Sequence, residues 1–178
     1  MSARIELKDN CSSPEGGYLR IWKTTKNGLP ELLVSDHNVI LDIHRENLAM
    51  LMKDDDGVED STGDKLSDYV IPFDITLDNQ GATTHSDGTE EVFTPSETDR
   101  IDDTDPNYFV HEITAKNTGS QPNIVTYTIK IDNSEGNGNT WSRAMMRSIN
   151  GQPIALKNFE SIEVKQSYGL IFDWSIYY

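Results

Sequence analysis

Residues 124–132 read IVTYTIKID, and this stretch decides the fold class. Val125, Tyr127, Ile129 and Ile131 alternate with Thr126, Thr128 and Lys130. A period of two sends the two sets to opposite faces of an extended chain, so this is a half-buried strand. Toward the C-terminus, Asn133–Asn139 consists of turn formers. Asn150-Gly151, between Ile149 and Ile154, marks a hairpin, because both residues tolerate positive φ. Ile162–Lys165 and Leu170–Tyr178 follow as strands. In the last, Leu170, Phe172, Trp174, Ile176 and Tyr178 share a face. A face that apolar must be covered, by the chain's own sheet or by a neighbour.

Toward the N-terminus, Tyr108–Lys116 sets Phe109, His111, Ile113 and Ala115 on one side, ahead of a turn over 117–120. Tyr69–Leu77 alternates through Tyr69, Ile71, Phe73, Ile75 and Leu77. Pro72 has no N–H for a ladder, so that strand must lie at an edge or carry a bulge. Tyr18–Lys23, with Leu19 and Ile21, and Ala3–Lys8, with Ile5 and Leu7, are shorter strands; the run 12–17 between them is a loop, and Asn27-Gly28 is a turn. Ser35–Met52 breaks the pattern. Ile40, Ile43, Asn47 and Leu51 recur at helical spacing beside Leu41, Leu48 and Met52, which predicts one helix near residues 36–52. Ser35 or Asp36 can cap it, Lys53 suits its C-terminal end and Gly57 stops it. Many short strands and one helix define a mainly β chain, an antiparallel β-sandwich or barrel-like domain.

The 178 residues carry a formal charge of −15. Residues 54–105 hold 17 acids against Lys65 and Arg100, and the remaining residues balance 13 acids with 13 bases. The chain is therefore expected to be a single β-rich domain over 1–178 with an acidic, loop-rich insertion at about 54–107. Such a surface repels phosphate backbones, which argues against nucleic acid as a partner. A solvated face accounts for the acids; a cation site or a basic partner are the sharper readings. No run of 18 apolar residues is present, so no membrane span is expected, and the N-terminus does not read as a signal peptide.

Catalytic signatures are lacking. Cys11 is the single cysteine and has no Cys-His signature around it, so it reads as a filler residue. Among the histidines, His37 and His44 stand two helical turns apart, too far to clasp one metal ion; His44 reads as a surface or interface residue. His111 reads as a core histidine on its strand's apolar face. Neither Asp54-Asp55-Asp56-Gly57 nor Asp132–Asn137 has EF-hand spacing, which leaves Asp99, Asp102, Asp103 and Asp105 as a non-EF calcium site to be tested. GxSxG, P-loop and GxGxxG patterns do not occur. Trp22, Trp141 and Trp174 fit a core, a subunit interface or a carbohydrate platform. The expectation is a chain with no catalytic residues, no cofactor and no resident metal.

Two regions resemble small tailed-bacteriophage virion proteins of tails, necks and fibres. Leu29–Met52, LPELLVSDHNVILDIHRENLAMLM, resembles a leader in which Asn38, Arg45 and Leu48 stand at fixed spacing. Ile124–Tyr178 resembles a pattern carried by Ile131, Glu135, Asn137-Gly138, Phe159, Ile162, Lys165, Leu170, Phe172, Trp174, Ile176 and Tyr177. Together they cover under half the chain; the acidic stretch and Trp141-Ser142-Arg143-Ala144 depart from the pattern. The resemblance implies a virion structural subunit made in the host cytoplasm, not an enzyme. Its partners would be other virion proteins and its own copies, as a trimer or a hexameric or larger ring. Trp141, Phe172, Trp174, Ile176 and Tyr178 are the expected interface anchors. The competing readings are a capsid decoration protein and a carbohydrate- or receptor-binding β-module.

Overall fold

A computed structural model describes residues 16–25, 28–53, 65–119 and 123–178. The expected strand over 3–8, the loop as far as residue 15, Cys11, Asn27, Asp54–Gly57 and the acidic run to residue 64 lie outside these residues, as does Ser120.

Among the described residues, eleven strands and one α-helix follow one another. They are β1 (Gly17–Thr24), β2 (Glu31–Ile40), α1 (Asp42–Lys53), β3 (Pro72–Asp78), β4 (Ala82–Thr84), β5 (Glu90–Val92), β6 (Phe109–Glu112), β7 (Ala115–Asn117), β8 (Ile124–Ile131), β9 (Thr140–Ser148), β10 (Pro153–Glu163) and β11 (Gly169–Tyr177). A 3-10 turn, Leu66–Tyr69, precedes β3. Nine strands form one antiparallel sheet in the order β6-β3-β9-β10-β2-β1-β11-β8-β7, curled into a half-barrel; β4 and β5 form a separate hairpin. The mainly β, barrel-like class read from the sequence is the class observed.

The curl encloses the core. Leu19 and Ile21 of β1, Ile129 of β8, and Phe172 and Trp174 of β11 meet Ile75 and Leu77 of β3, Met146 of β9 and Ile154 of β10, all without solvent exposure. At the far end the chain passes directly from one half to the other. The Ile113 N–H donates to the Phe73 carbonyl and the Thr114 N–H to the Thr128 carbonyl. This crossing splits the expected strand 108–116 into β6 and β7. The Asn150-Gly151 hairpin stands as read: Gly151 alone takes positive φ, at 74°, and the Ser148 N–H donates to the Gln152 carbonyl.

The helix begins later than its periodicity suggested. Residues 35–40 belong to β2, where Ser35 pairs with Arg20 and Asn38 with Gly17 of β1. Val34, Val39 and Ile40 suit a strand as well as a helix stripe, and long-range pairing decides for the strand. Leu41 opens the helix, its carbonyl accepting from the His44 and Arg45 N–H groups. The buried side of α1 consequently carries His44 and Asn47, while Ile43 is exposed. His44, expected at a surface or an interface, is 2% exposed, and neither ring nitrogen has a hydrogen-bond partner. Burial, with the nearby Arg45 charge adding to it, pushes its pKa down to about 4.

Pro72 falls at the bulge the sequence allowed, a register shift between Pro72 and Asp74. Beyond it only Ile75 and Leu77 of the expected apolar face are buried; Ile71 and Phe73 are exposed, and Tyr69 lies in the 3-10 turn. The opposite face of β3 is buried too. Thr76, Met145, Leu156 and Val39 form one cross-strand row over four strands. Leu41 and Ile101 pack on that row as a second, smaller core.

Candidate binding cleft

The long segment 79–107 is sewn onto the outer face by polar side chains. Asp78, fully buried, accepts Nε of Arg143 at 2.9 Å on one oxygen and Nη2 on the other. The same two oxygens take the N–H of Gln80 and of Asp102. Asp105 accepts from the Asn79 and Asn107 N–H groups and from the Gln80 and Asn107 amides. Burial opposes its ionisation, and these donors outweigh it, holding its pKa below the usual carboxylate value. Asn107 in turn takes the Thr140 N–H on its side-chain oxygen and the Trp141 indole N–H on its carbonyl. Ser142 Oγ accepts from Gly81 and Ala82.

Two of the aspartates named as a candidate cation site are held within their own turns. Asp99 binds the Ser96 N–H and hydroxyl, and Asp102 the Thr104 N–H and hydroxyl. Each carboxylate serves its own turn. Among the described residues no three His, Cys, Asp or Glu side chains gather as a metal-sized group. Nor, among them, is any helix long and apolar enough to cross a membrane. His85 lies 3.3 Å from Glu91, and His111 Nδ1 lies 2.8 Å from the Glu112 carbonyl in a half-buried, not core, position.

The stitching also places the β4–β5 hairpin against β10. Glu90 accepts the Ser161 N–H, and the Asn158 amide donates to the Phe93 carbonyl. There the curled sheet comes apart. β2 pairs with β1 along Glu31–Asn38, but on its other side it meets β10 only at Val39 and Ile40. From Asp36 back to Glu31 the two strands diverge and leave a cleft of about 540 Å³ lined by Leu33, Val34, Val92, Phe93, Pro95 and Asn158 among others. A smaller cleft of about 340 Å³ continues it past Glu160 to Tyr168. Leu32, Leu33, Val92 and Phe93 are all exposed. At the mouth, Lys157 Nζ bonds Asp36 at 2.5 Å and lowers its pKa.

Of the five expected anchors, Trp141, Phe172 and Trp174 have no exposed surface and Ile176 only 2%; all four are core of this chain. Inward alternation on a central strand, β11, and the seat of Trp141 under Asn107 put them there. Tyr178 keeps surface, with its hydroxyl 3.0 Å from that of Tyr127. The cleft residues Leu33, Val34, Phe93 and Glu160 carry no motif in the sequence; the signal that points to them is that Val92 and Phe93 are rare large apolar residues within the acidic stretch. No protein-family model, no curated protein and no solved structure matches this chain.

Proposed function

We propose that this chain is a non-catalytic assembly subunit, and that it serves as a virion structural protein of a tailed bacteriophage, at the tail, neck or fibre base. The observation that supports an assembly role most is the divergence of β2 from β10. It leaves a cleft of mixed lining, with Leu33, Val34, Val92 and Phe93 among its walls, beside a strand edge whose ladder partners end at Val39. Exposed strand edges template pairing with another chain, and pockets for alternate side chains add specificity. The phage assignment rests on the sequence resemblance. A carbohydrate platform is less supported, because Trp141 and Trp174 are core and cannot stack on a sugar. Light scattering across a concentration series tests the reading. A discrete trimer, hexamer or larger ring is expected, and a monomer at every concentration contradicts it.

A further inference from the structure

The cleft is walled on one side by the edge of β2 and on the other by β10 and the β4–β5 hairpin, and this limits what can enter. An edge of this kind takes a single extended segment, paired through its main chain. Its path along Glu31–Asp36 is six residues, roughly 20 Å at the rise of a strand. The lining asks for apolar side chains at alternate positions, facing Leu33, Val34 and Phe93. The rim asks for cations. Its lysines are already committed, Lys157 to Asp36, Lys23 to Glu31 and Lys165 to Glu163. Glu160 stands at the mouth in no ion pair among the described residues, next to Ser161, whose N–H donates to Glu90 of the hairpin.

We infer that residues 3–8 of a second copy of this chain are that segment, entering the cleft and adding a strand to the free edge of β2. The sequence there, Ala3-Arg4-Ile5-Glu6-Leu7-Lys8, alternates apolar Ile5 and Leu7 with charged residues, and Arg4 and Lys8 supply the cations. Residues 9–15 join this segment to Gly16. Extended, those seven residues span at most about 25 Å, which sets how near the neighbouring subunit must lie. Main-chain bonds to β2 supply affinity, and the seating of Ile5 and Leu7 supplies register. Head-to-tail donation of this kind closes a ring when its rotation closes, which connects the cleft to the assembly reading on which the inference rests.

Cysteine trapping in the full chain tests it. In a Cys11→Ser background, one chain carries Leu7→Cys and a second carries Leu33→Cys, the latter at an exposed position of β2. A disulfide requires Cα atoms within about 7 Å, so its formation reports the contact. On mixing under mild oxidation, a covalent heterodimer is expected at least tenfold above a control pairing Leu7→Cys with Lys130→Cys on exposed β8. Ile5→Asp combined with Leu7→Asp should raise the concentration at which oligomers dissociate at least tenfold. A heterodimer yield equal to the control overturns the inference. So does a chain bearing both cysteines that closes on itself as a monomer. Light scattering on the same material separates the two claims. Discrete oligomers without the trapped bond overturn the inference alone, whereas monomers at all concentrations overturn the assembly reading as well.

Discussion

Arg143 of β9 grips Asp78 of β3 with two guanidinium nitrogens, on the face of the sheet turned away from the main core. The carboxylate is fully buried, and it also holds the Gln80 and Asp102 N–H groups. Removing it strands a nearly buried cation, which costs about 3–5 kcal/mol in such settings. Asp78→Ala is expected to lower the unfolding free energy by about that amount in urea titration. It should also expose residues 96–107 to limited proteolysis. Replacing both partners by apolar residues, Asp78→Leu with Arg143→Met, should cost less than Asp78→Ala alone.

His44 makes stability depend on pH. Its pKa falls from 6.5 in the unfolded chain to about 4 in the fold. Between these values the unfolded state binds more protons, so its contribution is intact above pH 6.5 and is lost as pH falls toward 4. The slope is about 1.4 kcal/mol per pH unit at most. Urea unfolding at pH 7, 5.5 and 4.5 should show the decline, and His44→Leu should flatten it. An unchanged slope in His44→Leu would assign the acid sensitivity elsewhere.

Trp174 tests where the face of β11 points. The ring is fully buried, and its indole N–H finds no acceptor. Trp174→Ala should destabilise the monomer by about 3–5 kcal/mol. A variant of wild-type stability that only failed to oligomerise would place the residue at an interface instead.

Gly81 lies where the hairpin leaves β3. A Cβ there would sit 2.0 Å from the Ser142 carbonyl oxygen, a backbone atom that cannot swing aside. Gly81→Ala must therefore pull the strand away and loosen the Ser142 bonds to Gly81 and Ala82. A loss of about 1–3 kcal/mol is expected from the thermal midpoint, as for other overpacked sites. The hairpin should detach from β10 first, seen as faster amide exchange at Ser161.

Strands with one wet face were legible in the sequence. β8 and β11 alternate because Thr126 and Thr128 pair outward with Ser175 and Asp173 while their neighbours enter the core. β9 was not legible as a strand. TWSRAMMRS shows no period of two, because both its faces are covered and its outward arginines are satisfied by Asp78 and Asp74. The start of α1 was misplaced because Val39 and Ile40 fit either period, and only their pairing with Leu156 and Ala155 resolves them. The cleft was invisible for a different reason. Its walls come from residues 31–36, 92–95 and 157–163, and a local pattern does not record where two strands separate.

If the edge of β2 is the assembly surface, amide hydrogen exchange on that strand responds to assembly. Exchange at Leu32–Ser35 is to be measured below and above the concentration at which oligomers form. On assembly these amides should gain protection, at least tenfold slower exchange, while outward residues of β8 such as Lys130 should not change. Identical exchange at both concentrations, with protection appearing on another surface, would contradict it.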